Sequence, residues 1–123
     1  MTKINQELPK NIGKDVIYIP FDLNDCFKQI DSMLCDSVNN GIKNMTESEF
    51  LSDAHFGFGL WIRNNWGLWK GSRLSKYFNE LEIYHPDDMS SIILISYHRN
   101  LIGQELNITE QIQYYKDYWK KSK

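Results

Sequence analysis

Residues 56–69 read FGFGLWIRNNWGLW, and three of the four tryptophans in the chain fall within this stretch. At about 100° per residue, Phe58, Ile62, Trp66 and Trp69 gather within about 80° of one another, the stripe that an amphipathic helix turns to a core. Trp61 and Leu68 lie on a second flank, and Phe56 and Leu60 on a third. The segment is therefore apolar nearly all round, the pattern of a helix enclosed by neighbours. The sequence predicts one continuous helix over 56–69 as the central element of the fold. Gly57, Gly59 and Gly67 each cost roughly 1 kcal/mol of helix propensity relative to alanine, which predicts that neighbouring backbones or rings pack closely there.

Working outward, Leu23, Cys26, Phe27, Ile30, Met33, Leu34 and Val38 recur at the helical period, with Asp22 as N-cap and the NNG at 39–41 as stop. Cys26 and Cys35 then ride on one helix roughly 13 Å apart along its axis, beyond the reach of about 7 Å that a disulfide requires. TESE at 46–49 is a capping box that opens a helix carrying Phe50 and Leu51. Ser72 caps a helix that turns Leu74, Tyr77, Phe78 and Leu81 inward. HPDD at 85–88 starts the next one with Pro86 at its first position; Met89, Ile92, Ile93, Leu101 and Ile102 are its core residues and Gly103 its stop. The last helix begins at NITE, where Asn107 and Glu110 have capping-box spacing. Its Ile112, Tyr115 and Trp119 pack back on the domain, and the basic end suits its negative pole. In DVIYIPF, residues 15–21, Pro20 biases Ile19 away from helix, giving a strand or a strap. The expected fold is all-α: a compact single-domain bundle of five or six short helices around the aromatic-rich central one, with an extended N-terminal strap. Residues 1–14 are expected to form a flexible arm and 15–123 one helical domain.

A chain of 123 residues with 14% aromatic residues suits a single core that needs no metal or disulfide. The net charge of −2 and scattered basic residues disfavour nucleic acid as a partner. No apolar run reaches the roughly 20 residues of a membrane span, and no signal peptide is recognisable, so a cytoplasmic location without membrane attachment is expected. The sequons at Asn44 and Asn107 serve better as helix-cap residues than as glycan acceptors.

Arg63, with Asn64 and Asn65, is the chemical oddity of the apolar stretch. A guanidinium there is costly unless it meets carboxylates, and Asp87 and Asp88 are the natural candidates. Two readings stand: a structural lock between Arg63 and an aspartate, or a pocket or partner-facing groove lined by Arg63, Asn64 and the aspartates. Asp87 and Asp88 also suit the positive pole of their helix and, as neighbours about 100° apart, are poorly placed to share one substrate proton. Thirteen residues of helix hold His85 and His98 roughly 20 Å apart, too far for one metal ion, and no metal or other cofactor is expected. His98 and Arg99 read as cationic partners of a helix C-terminus. No nucleophile elbow or phosphate loop is present.

With GFGLWIRNNWGLWKGSRLSKYF at 57–78 and HPDDMSSIILISYHRNL at 85–101 both in view, the chain resembles an uncharacterised family of small bacterial domains with a signature G-x-W-I-R-N-x-W-x-L-W followed by H-P-D-D-M-S. The resemblance runs from about residue 50 to 103, with a weaker echo at the helix beginning at Leu23. It implies that Arg63, Asn64, Trp66, Trp69, His85, Pro86, Asp87, Asp88, Met89 and Ser90 belong to a shared fold or site, and it transfers no catalytic role. The expected function is a non-catalytic protein-binding module, immunity-like or regulatory, whose partner is another bacterial protein, a toxin or a regulator. The alternative is a binder of a small anionic ligand, or an enzyme, using a pocket of Arg63, Asn64, His85 and Asp88. Candidate ligand or partner-binding residues are these four together with Trp66, Trp69, Asp87, His98 and Arg99.

Overall fold

The computed structural model describes residues 17–121; the expected arm at 1–14 lies outside them. Among the described residues there are seven helices and no strands: α1 Leu23–Met33, α2 Asp36–Lys43, α3 Glu47–His55, α4 Phe58–Asn65, α5 Arg73–Glu80, α6 Pro86–Leu101 and α7 Ile108–Lys121. The fold is all-α, as expected, with more and shorter helices. Most starts follow local capping chemistry. The Asp22 carboxylate accepts from Asp25 N at 2.9 Å, Thr46 and Glu49 complete their reciprocal capping box, Ser72 accepts from Ser75 N and Pro86 opens α6.

The first departure is at residues 34–35. The chain leaves α1 at Leu34, whose ψ of 135° is extended, and starts α2 from Cys35, so the expected helix through Val38 is two helices and the two cysteines are not on one. The NNG at 39–41 lies inside α2 and stops nothing. The corner is held from outside: the Tyr97 hydroxyl donates to Asp31 of α1 at 2.7 Å and also lies 2.9 Å from Asn39 of α2. Burial and the neighbouring Asp31 carboxylate push the Tyr97 hydroxyl far up, beyond its usual range, so it stays a protonated donor.

The second departure is within the opening stretch. Helix α4 ends at Asn65, and the continuous coil over 56–69 is not formed. Gly67 takes a left-handed φ of 66°, and Leu68 N bonds Arg63 O at 3.2 Å, the six-to-one bond of a glycine-terminated helix. The turn sends Trp66 and Leu68 inward and leaves Trp69 58% exposed. Phe56 and Leu60 also face solvent, so one flank of α4 is bare.

The enclosed element is α6. It packs against each of the other six helices, and Met89 through Leu94 and Ser96 through His98 are all buried. Its three buried serines are small and hydroxylated, so they admit close neighbours without announcing a core helix in the hydropathy. A single cluster joins Leu23, Ile30, Phe58, Trp66, Phe78, Ile93 and Tyr97 around it. At the start of the described chain, Ile17 and Ile19 pack on this core without regular structure. This is the strap. Arg73 Nε donates to Ile19 O at 2.8 Å, and Asp25 accepts from the Tyr18 hydroxyl and Phe21 N.

The Gly67 turn is sterically demanding as well as left-handed: an added Cβ would sit 2.9 Å from Ser72 Cβ. Ser72 cannot retreat, because its hydroxyl donates to Trp66 O at 2.7 Å. Gly67→Ala is therefore expected to destabilise the fold by about 1–3 kcal/mol, read as a lower urea midpoint with an unchanged m-value.

Candidate functional site

Arg63 sits in the last turn of α4 and is 3% exposed. Nη1 donates to Ser90 Oγ at 2.8 Å, and Nη2 to the His55 carbonyl, near the end of α3, at 3.0 Å. Ser90 in turn donates to Asp87 O in the first turn of α6. Nε lies 3.3 Å from Asp87 Oδ1 but is not aligned for a hydrogen bond. Asp87 therefore balances the charge without completing the donor set, and its side chain is 62% exposed. Gly59 makes room for the guanidinium, since a Cβ there would lie 3.1 Å from Arg63 Nη1 and 3.2 Å from Ala54 O.

The remaining expected residues divide. Trp66 is buried in the core, whereas Asn64 is exposed, as is Trp69. His98 is buried, stacked on Phe50, with Nε2 2.8 Å from Met45 O. A carbonyl only accepts, so Nε2 carries the hydrogen, and His98 links α6 to the α2–α3 connection instead of lying free at a helix pole. Arg99 forks onto Glu47 at 2.6 and 3.2 Å and donates to Leu106 O at 2.7 Å. It ties the start of α3 to the α6–α7 connection.

His85 and Asp88 point elsewhere. His85 stacks on Trp119 of α7 with ring centres 3.7 Å apart and planes at 18°. Trp119 Nε1 donates to Asp88 Oδ2 at 2.8 Å, and one turn earlier Lys116 pairs with Glu82 at 3.0 Å. Together with Tyr84 and Tyr115 these residues border an open cleft of about 580 Å³. Arg63 and Asn64 are not among its lining residues, so the expected pocket of Arg63, Asn64, His85 and Asp88 is split into a sealed anchor and a separate surface cleft. Partial burial raises the Asp88 carboxyl above the usual carboxylate range, while the Trp119 donor pulls it back.

Trp119 is the site residue absent from the sequence-based candidates. Its spacing of seven from Ile112 and four from Tyr115 places it on the inward stripe of α7, but only the return of the chain reveals that it meets His85. Among the described residues no group of three metal-ligating side chains is close enough to hold an ion, and no helix is long and apolar enough to cross a membrane.

The residues of the anchor and of the HPDD turn all fall within residues 19–101, the stretch matched by one family model. The chain belongs to the DUF6794 family, a domain of unknown function. No curated protein and no solved structure matches the chain. The DUF6794 match begins before α1 and ends with α6, so beyond the 50–103 core expected from the motifs it takes in α1, where a weaker echo was expected, α2 and the start of α3. Helix α7, with Trp119, lies outside it.

Arg63→Ala should cost about 2–4 kcal/mol, because it removes the donors to the His55 carbonyl and the Ser90 hydroxyl and opens a cavity. Asp87→Asn should cost under about 1 kcal/mol at its exposed position; urea denaturation of both variants reads the contrast. For Asp88, a donor to the ionised carboxylate lowers its pKa, so Trp119→Phe should make Asp88 titrate at higher pH than in the parent chain, observed as the carboxyl carbon shift in an NMR pH series. The linkage sign follows from the raised value: Asp88 contributes stability below its unfolded pKa and loses it as pH rises through the folded one.

Proposed function

We propose that the chain is a non-catalytic protein-binding module, immunity-like or regulatory in kind, that recognises another protein through the face formed by α7 and the start of α6. The observation that carries this reading is the run of exposed aromatic side chains Tyr84, Tyr114, Tyr118 and Trp119 bordering the clefts beside His85 and Asp88. Tyrosine and tryptophan are the side chains that most often dominate protein interfaces, because each buries a large rigid area and brings one polar atom. The strongest polar groups of the motif support the same view. Both terminal nitrogens of Arg63, and the guanidinium of Arg99, are spent on holding helices together, which leaves a surface for recognition in place of a reaction chamber.

The small-anion reading has less support, since Arg63 is sealed away from the cleft. The test is affinity capture with the full chain in its own host, followed by measurement of the purified complex. The parent chain is expected to hold one partner stoichiometrically, and the double exchange Tyr84→Ser, Tyr118→Ser to weaken that complex by about tenfold or more. An unweakened complex, or a chain that stays monomeric with no partner, overturns the reading.

A further inference from the structure

We infer that the cleft where α3, α6 and α7 meet is a binding site for a small primary amine with an apolar body, whose ammonium group donates to Gln111. The inference stands apart from the protein-binding reading, which rests on the face around Tyr84, Tyr118 and Trp119.

The cleft holds about 430 Å³, within the range of small-ligand pockets. Each of the three helices lines it with two residues one turn apart: Glu47 and Leu51 of α3, Ile95 and Arg99 of α6, Gln111 and Tyr115 of α7. Residues four apart share a helix face, so every helix contributes one polar and one apolar side chain. The polar members are drawn together by Arg99, which forks onto Glu47 and bonds Leu106 O, the same carbonyl that takes a bond from Gln111. On α6 Gln111 meets Ser96, whereas Tyr115 meets Ser91 more than a turn away. The cleft is therefore polar at one end and apolar at the other, which suits a ligand with a polar head and a hydrocarbon body.

The head's chemistry follows from Gln111. It is the one buried residue among those lining the cleft, at 8% exposed, and so forms the floor. Its Nε2 donates to Ser96 Oγ at 3.0 Å and to Leu106 O at 2.9 Å. A carbonyl only accepts, so the nitrogen has to face it, and Oε1 is left without a donor. Buried polar groups are rarely left unpaired. A ligand N–H seated at the polar end supplies the missing partner.

Charge makes that donor a cation. Glu47 already matches Arg99, the single basic residue of the lining. Glu110, also lining the cleft, pairs with no cation among the described residues. Two carboxylates against one guanidinium leave the site with a surplus negative charge. Tyr114, one turn beyond Glu110 and 64% exposed, adds an aromatic face that attracts cations. An anion would meet the unpaired Glu110 and an arginine already occupied.

The experiment titrates the full chain, labelled with nitrogen-15, with phenethylamine and follows the Gln111 side-chain amide and the Tyr114 ring. Both should shift saturably with a Kd of about 1 mM or tighter. 3-Phenylpropionate, an aromatic body of similar size with a carboxylate head, should bind about tenfold or more weakly. Gln111→Met, which removes the acceptor at similar side-chain length, should weaken the amine about tenfold. Glu110→Gln, an exposed change that leaves the fold intact whatever becomes of the first variant, should weaken the amine about threefold and leave neutral 2-phenylethanol unaffected. The absence of a saturable shift, equal binding of amine and carboxylate, or indifference of the amine to Glu110→Gln overturns the inference. Tighter binding of N-acetyl-lysine methylamide than of phenethylamine would overturn the free amine in favour of a protein's lysine.

Discussion

A guanidinium enclosed in a helical core sets conditions that the surrounding backbone must meet. Arg63 meets them with the His55 carbonyl near the end of α3, the Ser90 hydroxyl in α6 and the charge of Asp87. Three helices are thereby fixed relative to one another by one side chain. The arrangement is tight at Gly59, where a methyl group would crowd both the guanidinium and the α3 carbonyl of Ala54. It also requires α6 to begin where it does, so that its first five residues supply both Asp87 and Ser90. Breaking such a buried cluster costs far more than the cluster contributes over a well-packed apolar one.

The two stretches of sequence that carry the resemblance, 57–78 and 85–101, thus serve different ends. The first, apolar and arginine-bearing, builds the junction of α3, α4 and α6, with Trp66 in the core and Trp69 outside. The HPDD half is shared: Asp87 faces the anchor and Asp88 faces Trp119. Consecutive helical positions diverge by about 100°, which lets one short motif support the interior with one carboxylate and furnish a surface with the next.

What was legible in the sequence was mostly local. Capping residues at Asp22, Thr46, Ser72 and Pro86 act within one turn of their own position, and each opens the helix it was expected to open. The pairing of Arg63 with an aspartate was legible too, because so few charges lie in the middle of the chain. Long-range effects were not. The corner after α1 contains neither glycine nor proline and is held by Tyr97 from the opposite end of the sequence. Gly67 has the composition of a costly helix residue and the conformation of a terminator. Serines disguise α6 as half polar, which shifted the expected centre of the bundle to the more obviously apolar 56–69. The His85–Trp119 stack spans 34 residues, and no periodicity within either helix encodes it.

The position of α6 as common neighbour of every other helix has a consequence for how the molecule comes apart. No partial assembly can leave out α6 and retain a core, so its disruption and global unfolding are one event. Helix α7, with one fully buried residue and the partly buried Ile108, Ile112 and Tyr115 against the core, is held less deeply than α6. The hierarchy is that of a keystone and a hinged shutter: thermal agitation works the shutter long before it reaches the keystone.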